Sequence, residues 1–355
     1  MKQSQKEYKR IVVKIGSSLF FPKWGEVDMG LLNSIVSQVA QLAASGKEVA
    51  IVASGAIALG MHELGYRERP KKLEILQSMS AIGQTKLMDT YRSCFSDKGL
   101  HCAQILLTRE DLDDRQRYLN AKNTLLALLS MRCVIPIINE NDTISTDEIK
   151  FGDNDSLSAL VATLINADLL IMLSDVDGLL DREKNVIRIV DEITAQIKGL
   201  AAPSEKKTSV GGMITKIQAA RIAMDSGISC VIANGHREDI IPSIVREPQR
   251  NGTLFISKEC LDAKESWLAF SAKPKGRIIV DDGAKLALVN KKSLLSVGVV
   301  SSEGAFNTGD IVSLKGKDGA EFARGKARIS SKELEKVAGR RSEKEVIHRD
   351  DIVIL

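Results

Sequence analysis

Short apolar segments alternate with amphipathic ones along most of the chain. Residues 10–16 and 48–53 are apolar runs that lead directly into glycine or other small residues, a pattern typical of buried strands. Between them, residues 28–44 carry apolar side chains at helical spacing and are followed by a Ser-Gly helix stop. The alternation continues with strands predicted at Cys102–Leu107, Cys133–Ile138, Asp168–Leu173 and Ser229–Ala233, and helices at Leu73–Phe95, Arg117–Ser130, Asp155–Asn166 and Met213–Ser226. This pattern predicts an α/β protein, a three-layer αβα sandwich with a mainly parallel central sheet.

The pattern changes after about residue 254. Residues 257–275 are polar and show no strand-helix alternation, and the rest of the chain has short apolar segments separated by glycines. Strands are predicted there at Arg277–Val280, Leu286–Leu288, Gly298–Ser301, Asp310–Leu314 and Gly325–Ile329. This spacing is typical of a small β-rich domain. We therefore predict a large domain over residues 1–256, a linker over 257–275 and a β-rich domain over 276–355.

Charge is distributed unevenly between these regions. The net charge of the chain is +4, which excludes a protein organised as a whole around nucleic acid. Residues 271–355 hold 17 Lys/Arg and 12 Asp/Glu, whereas the first 270 residues hold 33 and 34. All of the excess positive charge therefore lies on the small domain. This leaves two interpretations open, a solvated surface or a local basic patch that binds RNA.

Composition also bears on the compartment. No apolar run approaches the roughly 20 residues that a membrane span needs, and the polar N-terminus MKQSQKEYKR does not resemble a signal peptide. The five cysteines are odd in number and form no C-x-x-C pair, which indicates reduced thiols. We therefore expect a cytoplasmic protein that does not contact a membrane. Only four histidines occur, which argues against a histidine-ligated metal and leaves few histidine bases.

The chemistry-bearing residues follow the predicted strands. In an open parallel sheet, ligands bind beyond the carboxyl ends of the strands. Polar and small residues cluster at these positions in six segments: Lys14 to Ser18, Ser54-Gly55-Ala56, Asn139 to Asp142, Gly152 to Asp155, Ser174 to Gly178, and Val210 to Lys216. Two lysines, several carboxylates and a glycine-rich helix start favour an anionic, phosphate-bearing ligand. Neither G-x-x-x-x-G-K-[ST] nor G-x-G-x-x-G occurs, so a P-loop enzyme and a typical dinucleotide site are excluded.

Each segment taken singly also has a purely structural explanation. Lys14 fits a strand-end lysine that extends to water, and Ser54-Gly55 fits a helix-entry loop. Asp155 fits a cap that favours the helix dipole, and Ser174 to Gly178 fits a plain turn. The polar run from Asn139 to Asp142 is harder to explain structurally, because asparagine and aspartate are poor strand residues. It is the combination of the segments that favours a functional site.

The order of motifs resembles the amino acid kinase family. The motifs run VVKIGSS, IVASGAIALG, LLTREDLDDRQRYLNAKNTL, PIINENDT, FGDNDSLSALVATLINADLLIMLSDVDGL and GGMITKIQAA, and they cover nearly all of residues 10–256. The segments DDGAKLAL, SLLSVGV, GAFNTGDIV and RGKARISSKEL resemble a PUA domain. The resemblance implies the amino acid kinase fold followed by a small PUA-like domain. Within the family, the order is similar to that of the members that phosphorylate L-glutamate.

The resemblance implies an activity and the residues for it. ATP, with Mg²⁺, would phosphorylate the side-chain carboxylate of L-glutamate to give L-glutamyl 5-phosphate, the first step of proline biosynthesis. An ionised carboxylate needs no general base, so transfer would be in line between bound groups. The implied catalytic residues are Lys14, Asp155 and Lys216, and the implied substrate-binding residues are Ser54, Gly55, Ala56, Asn139, Asp142 and Asn154. The implied ATP-binding residues are Lys14, Ser174, Asp175, Gly211, Gly212, Met213, Ile214, Thr215 and Lys216. Protein ligands of Mg²⁺ are not assigned.

The resemblance also implies partners. The family members are typically homo-oligomers, dimers or tetramers, are inhibited by proline at the glutamate site, and are coupled in function to glutamyl phosphate reductase. Two rival functions stay open, an acetylglutamate or aspartate kinase and an RNA-binding protein that acts through the PUA-like domain. The sequence departs from the family at Val210, where a threonine is usual, at Phe20–Glu26, and in a shorter C-terminal end.

Overall fold

The structure is a computed structural model that describes residues 7–20, 27–145, 154–201, 212–257, 263–340 and 345–355. The chain divides into two compact units. The first comprises Met1–Leu112 and Gln116–Cys260, and the second comprises Leu261–Leu355 and Asp113–Arg115. Across the described residues, no helix combines the length and the apolar character that crossing a bilayer requires.

An eight-stranded sheet organises the first unit. Its strands are β1 (Arg10–Ile15), β2 (Glu48–Val52), β3 (His101–Leu107), β4 (Val134–Glu140), β5 (Leu169–Ser174), β6 (Ile189–Val190), β7 (Ser229–Asn234) and β8 (Thr253–Phe255). Their order is β3-β4-β2-β1-β5-β7-β8-β6, and every pair is parallel except β7 with β8. The central strands are buried along nearly their whole length, as expected for a sheet covered on both faces. The predicted mainly parallel α/β fold is confirmed.

Helices cover this sheet. They are α1 (Ser17–Phe20), α2 (Met29–Ala44), α3 (Ala56–Glu63), α4 (Leu73–Ser96), α5 (Arg109–Asp113), α6 (Arg115–Ser130), α7 (Asn154–Leu164), α8 (Ala195–Leu200), α9 (Met213–Asp225) and α10 (Ile240–Arg246). Side chains of β1 alternate between the two faces of the sheet. Ile11, Val13 and Ile15 join the apolar core that also contains residues of α2 and α4. Lys14 therefore points to the opposite face, where α7 and α9 lie.

Strand β4 is longer than the sequence predicts. The prediction ends it at Ile138, but Asn139 and Glu140 continue the ladder and pair with Leu106 and Leu107 of β3. Asparagine is a poor strand residue, but here both the oxygen and the nitrogen of the Asn139 side chain make hydrogen bonds. These bonds compensate for its low propensity, because tertiary contacts outweigh a weak local preference.

The second unit is β-rich. Its strands are β9 (Gly276–Val280), β10 (Leu294–Leu295), β11 (Val299–Glu303), β12 (Ile311–Lys315), β13 (Glu321–Lys326), β14 (Glu345–Ile347) and β15 (Ile352–Ile354). A five-stranded sheet has the order β11-β9-β12-β13-β15, and β10 pairs separately with β14. Its helices are α11 (Ala263–Ser266), α12 (Asp282–Val289) and α13 (Ser331–Val337). Apolar side chains from most of these elements form one core of their own.

Two strand predictions in this unit are wrong. Residues Leu286–Leu288 lie in α12, which begins at a cap in which Asp281 accepts a hydrogen bond from the Ala284 amide. The strand predicted at Gly325–Ile329 is β13, which lies earlier, at Glu321–Lys326. A three-residue apolar run does not distinguish a strand from one buried face of a helix, and the capping aspartate decided the outcome.

Residues 263–271, which fall in the predicted linker, are helical. Helix α11 is followed directly by a π-helix, Trp267–Ser271, in which Trp267 and Leu268 are buried. The Arg324 guanidinium donates to the carbonyl oxygens of Ala269 and Ala272. This part of the predicted linker therefore packs as an ordered portion of the second unit. The domain boundaries themselves stay a prediction.

Candidate active site

Two lysines contact one buried carboxylate at the carboxyl end of the central strands. Lys14 Nζ lies 2.6 Å from Asp155 Oδ1, and Lys216 Nζ lies 3.2 Å from Asp155 Oδ2. Lys14, Asp155 and Lys216 are only 6%, 3% and 7% exposed. We call these three residues the lysine-carboxylate cluster. It brings together the three residues for which the sequence predicts a catalytic role.

The cluster joins three elements that are far apart in sequence. Lys14 comes from β1, Asp155 from the first turn of α7, and Lys216 from the first turn of α9. An acidic side chain in the first turn of a helix is favoured by the helix dipole. Thr215 on α9 adds a hydrogen bond, its hydroxyl lying 2.7 Å from Asp155 Oδ2. One carboxylate, that of Asp155, thus positions both ammonium groups.

The charge state of Asp155 follows from these contacts. Burial raises the pKa of this carboxyl, but the charges of Lys14 and Lys216 and the hydrogen bonds to it lower the pKa by more. Its pKa therefore lies below the ordinary aspartate value. The cluster combines two lysines with one carboxylate, so its formal charge is positive, which suits it to a phosphate group.

The other residues predicted to bind nucleotide lie at neighbouring helix and strand ends. Ser174 ends β5, and its hydroxyl donates to the carboxylate of the exposed Asp175. Gly212 caps α9, whose first residues are Met213 and the exposed Ile214. Gly211, Val210, Phe21–Glu26 and Gly152-Asp153 lie outside the described residues.

A second polar group forms a hydrogen-bonded row of amides. Asn154 Nδ2 donates to Ser54 Oγ at 2.9 Å and to Asn139 Oδ1 at 3.2 Å. Asn139 Nδ2 donates to Gln84 Oε1 at 2.8 Å. We call Ser54, Asn154, Asn139 and Gln84 the amide row. Because Asn154 directly precedes Asp155, the amide row adjoins the lysine-carboxylate cluster.

Asp142 lies just beyond β4 and is held by α4. Its carboxylate accepts a hydrogen bond from Ser80 Oγ at 2.8 Å and is 8% exposed. Burial raises the pKa of the Asp142 carboxyl above its ordinary value, which the Ser80 hydrogen bond and the charge of Arg69 only partly offset. Asp142 is therefore a buried carboxylate, a group that can pair with an ammonium ion.

Three glycines allow the backbone conformation and the close helix packing found next to the amide row. Gly55 has a φ of 111°, in the left-handed region that glycine adopts without strain, and it precedes α3. Helices α3 and α4 then pack in very close contact at Gly60 and Gly83. A Cβ on Gly83 would lie 1.8 Å from the Ala56 carbonyl oxygen. This close contact brings α4, which carries Ser80 and Gln84, against the start of α3.

The residues fit magnesium only as part of a nucleotide complex. Within the described ranges, no three His, Cys, Asp or Glu side chains lie together as a metal-binding group. Both oxygens of Asp155 already face lysines. Mg²⁺ keeps several waters and binds readily to substrate phosphates. A magnesium ion at this edge of the sheet would therefore be held mainly by the phosphates of a bound ligand.

Sequence reasoning missed Ser80 and Gln84. Both lie on α4, which carries no glycine-rich or strand-end signature. A signal was present in the spacing, because Gln77, Ser80 and Gln84 recur at intervals of three and four residues on an otherwise mixed helix. Such spacing places polar side chains in one row. Their hydrogen bonds to Asp142 and Asn139 became apparent only from the structure.

Residues 9–234 match the model of the amino acid kinase family, and residues 276–349 match that of the PUA domain. This chain belongs to the amino acid kinase family. It carries a C-terminal PUA domain in addition to the kinase fold.

Several relatives match nearly the whole chain over nearly their own full length. A glutamate 5-kinase from Pelobacter propionicus is 44% identical over 99% of this chain and 98% of its own. Glutamate 5-kinases from Thermoanaerobacter sp. and Geobacter sulfurreducens are 42% and 44% identical over 98% of both chains. A solved structure, UMP kinase from Bacillus anthracis, covers 72% of this chain and 99% of its own at 15% identity, with a TM-score of 0.46. Within its family, this kinase is therefore an enzyme of the glutamate 5-kinase group.

Proposed function

We propose that this kinase transfers the γ-phosphoryl group of MgATP to the side-chain carboxylate of L-glutamate and yields L-glutamyl 5-phosphate. The observation that carries the proposal is the lysine-carboxylate cluster, two ammonium groups held 2.6 Å and 3.2 Å from one buried carboxylate. The names of the full-length relatives support the choice of substrate. The reaction would be the first step of proline biosynthesis.

The chemistry requires alignment and charge neutralisation. A glutamate side-chain carboxylate has an ordinary pKa of about 4.3 and is ionised at neutral pH. One of its oxygens attacks the γ-phosphorus, and the bond from that phosphorus to the β–γ bridging oxygen breaks, so ADP leaves with that oxygen. No proton is abstracted, and no general base is needed. Lys14 and Lys216 would stabilise the charge on the transferring group from two sides.

The amide row and Asp142 would hold the amino acid. Asp142 would pair with the α-ammonium group, because it is a buried carboxylate whose one described hydrogen bond comes from Ser80. Ser54, with Gly55 and Ala56, borders the same space through its hydrogen bond with Asn154. Ser174, Asp175 and the first turn of α9, from Gly212, would lie along ATP. These roles rest on the family resemblance and on the adjacency of the two groups.

The reaction can be tested by trapping the acyl phosphate. Enzyme, ATP and magnesium would be incubated with hydroxylamine and L-glutamate, with parallel reactions containing aspartate, N-acetylglutamate or no acceptor. We expect hydroxamate and ADP in equal amounts from glutamate alone. If hydroxamate forms from aspartate or N-acetylglutamate instead, that acceptor is the substrate and L-glutamate is not. If folded protein forms no hydroxamate with any acceptor, the proposed reaction is rejected.

Asp142→Ala should raise the KM for glutamate by about 10²-fold with little change in kcat. The variant removes the proposed partner of the α-ammonium group and leaves the lysine-carboxylate cluster intact. Initial rates of hydroxamate formation give both constants. Ser80→Ala is the matched control, because it removes the hydrogen bond to Asp142 but keeps the carboxylate, and its KM should change less than tenfold. An unchanged KM in Asp142→Ala would reject this role.

The KM for glutamate should also rise as the pH is lowered from 8 towards 5. Asp142 has a raised pKa, so it takes up a proton at a higher pH than an ordinary aspartate, and its neutral form cannot pair with an ammonium charge. The limiting slope is about tenfold per pH unit below its pKa. Ser80→Ala removes a hydrogen bond that lowers this pKa, so the rise should begin at higher pH. A profile unchanged by Ser80→Ala would contradict the assignment.

Further properties stay predictions from the resemblance. They are a homo-oligomer, inhibition by proline in competition with glutamate, and functional coupling to glutamyl phosphate reductase. RNA binding by the PUA domain is the remaining alternative activity, and a filter-binding titration would test it. Binding to phosphates must weaken as salt increases, with a slope set by the number of contacts.

A further inference from the structure

The orientations of the amide side chains in the amide row follow from one backbone group. The Glu140 amide N–H lies 2.9 Å from Asn139 Oδ1, and a backbone N–H can only donate. The oxygen of Asn139 therefore faces Glu140 and Asn154, and its Nδ2 faces Gln84. Since Nδ2 donates, the atom of Gln84 that meets it at 2.8 Å must be the oxygen. The same argument makes Nδ2 of Asn154 the atom that meets Asn139.

Two buried polar atoms of this row make no hydrogen bond within it. Gln84 Nε2 and Asn154 Oδ1 have almost no exposed surface, and neither has a hydrogen-bond partner among the residues that the structure describes. Gln84 as a whole is 8% exposed. An unsatisfied buried polar group costs about 1–3 kcal/mol, so each one calls for a partner such as a bound ligand or an internal water. One leftover atom is a donor and the other is an acceptor.

The leftover donor lies in the same helical row as the residue that holds Asp142. On α4, Gln77 donates to the carbonyl oxygen of Ser145, Ser80 donates to Asp142, and Gln84 accepts from Asn139. These three positions follow one another at helical spacing and hold the end of β4 and the residues after it. The carboxylate of Asp142 and the free N–H of Gln84 are thus positioned from one face of one helix.

A carboxylate and an N–H donor held on one helix face match the ammonium and carboxylate groups of an α-amino acid. An α-ammonium group needs acceptors, which Asp142 and Asn154 Oδ1 provide, and an α-carboxylate needs donors. Asn154 has no donor to give, because Ser54 and Asn139 already accept from its Nδ2. Among the described residues of the amide row, the buried side-chain nitrogen without a hydrogen-bond partner is Gln84 Nε2.

We propose that Gln84 is a specificity-determining residue that donates from Nε2 to the α-carboxylate of the amino acid substrate while its Oε1 holds Asn139 in place. This rests on the proposed function, since it names the part of the glutamate molecule that the residue recognises. It predicts that Gln84 contributes to KM for the amino acid and does not contribute to the transfer step.

Gln84→Glu tests the proposal because it changes one atom group. A glutamate at this position keeps an oxygen for the hydrogen bond from Asn139 but replaces the donor with an anionic oxygen that repels a carboxylate. We expect KM for L-glutamate to rise about 10–100-fold, with kcat and KM for ATP within about twofold of wild type. The retained kcat shows that the variant is folded.

Two further measurements distinguish a direct contact of Gln84 with the substrate from an indirect effect through Asn139. Gln77→Glu, on the same face of α4, removes a bond to a backbone carbonyl and should leave KM for glutamate within about threefold of wild type. 4-Aminobutyrate lacks the α-carboxylate, so its inhibition constant should be the same in Gln84→Glu and wild type. If KM for glutamate and this inhibition constant rise together, Gln84 acts only through Asn139 and the proposal is wrong.

An unchanged KM in Gln84→Glu would show that an internal water satisfies Nε2 and would also overturn the proposal. Failure of the proposed function gives a different result, because the wild-type enzyme then makes no hydroxamate from glutamate. If the wild type is active, the KM of Gln84→Glu for glutamate tests the role of Gln84 alone.

Discussion

Asp155→Asn is expected to lower kcat by about 10²–10³-fold, the size of effect seen when one preorganised electrostatic contact is removed. Asp155 contacts both Lys14 and Lys216 and so fixes the two ammonium groups beside each other. Without the carboxylate, two buried ammonium groups face a neutral amide and repel each other, so one of them moves away or loses its proton. Single-turnover and steady-state rates of ADP release at saturating substrates would measure the loss.

Circular dichroism distinguishes this explanation from simple misfolding, because Asp155→Asn should keep the spectrum of the wild type while kcat falls. Asp225→Asn is the matched control on α9, since it removes only an exposed ion pair with Arg221 and should leave kcat within about twofold. A kcat for Asp155→Asn within tenfold of wild type would show that the cluster is structural.

Gly83→Ala should have the largest effect on stability among the small substitutions. The added Cβ would lie 1.8 Å from the Ala56 carbonyl oxygen, a backbone atom that cannot move aside alone. We expect the free energy of unfolding to fall by about 1–3 kcal/mol or more, because α3 and α4 must separate. Denaturant unfolding followed by circular dichroism would measure it.

The same substitution should also raise KM for glutamate. Gly83 precedes Gln84 and Ala56 follows Gly55, so a displacement between the two helices disturbs the amide row on both sides. Gly199→Ala on α8 is the matched control, because its Cβ would meet nothing within 4 Å. Alanine is the better helix former, so this variant should be neutral or more stable by up to about 1 kcal/mol. Equal stability of the two variants would contradict the close-contact argument.

The α/β unit was predictable because its signal is local and repeated. Buried parallel strands must be apolar along their whole length, and the helices that cover them must be amphipathic, so both periodicities are visible in the chain. The second unit was less predictable. Its elements are short, so the apolar residues 286–288 did not reveal that they belong to α12, and Asp281, which caps that helix, was the only local cue.

Some residues of the candidate site were likewise predictable from the sequence, and others were not. Lys14, Asp155 and Lys216 were predictable, since strand ends and helix starts in a parallel sheet meet at one edge and charged residues stand out there. Ser80, Gln84 and Arg69 were not, because they lie on or before a helix that bears no motif and act only through partners 55 or more residues away.

The sequence by itself determined the fold class, the edge of the sheet at which we expect ligands to bind and the residue types available there, because these depend on periodicity and on position after a strand. Only the tertiary structure decided which charges share a carboxylate, which amide atoms are already paired and which stay free. Hydrogen-bond saturation and burial are properties of a packed interior in which distant segments meet, and no local pattern in the chain records them.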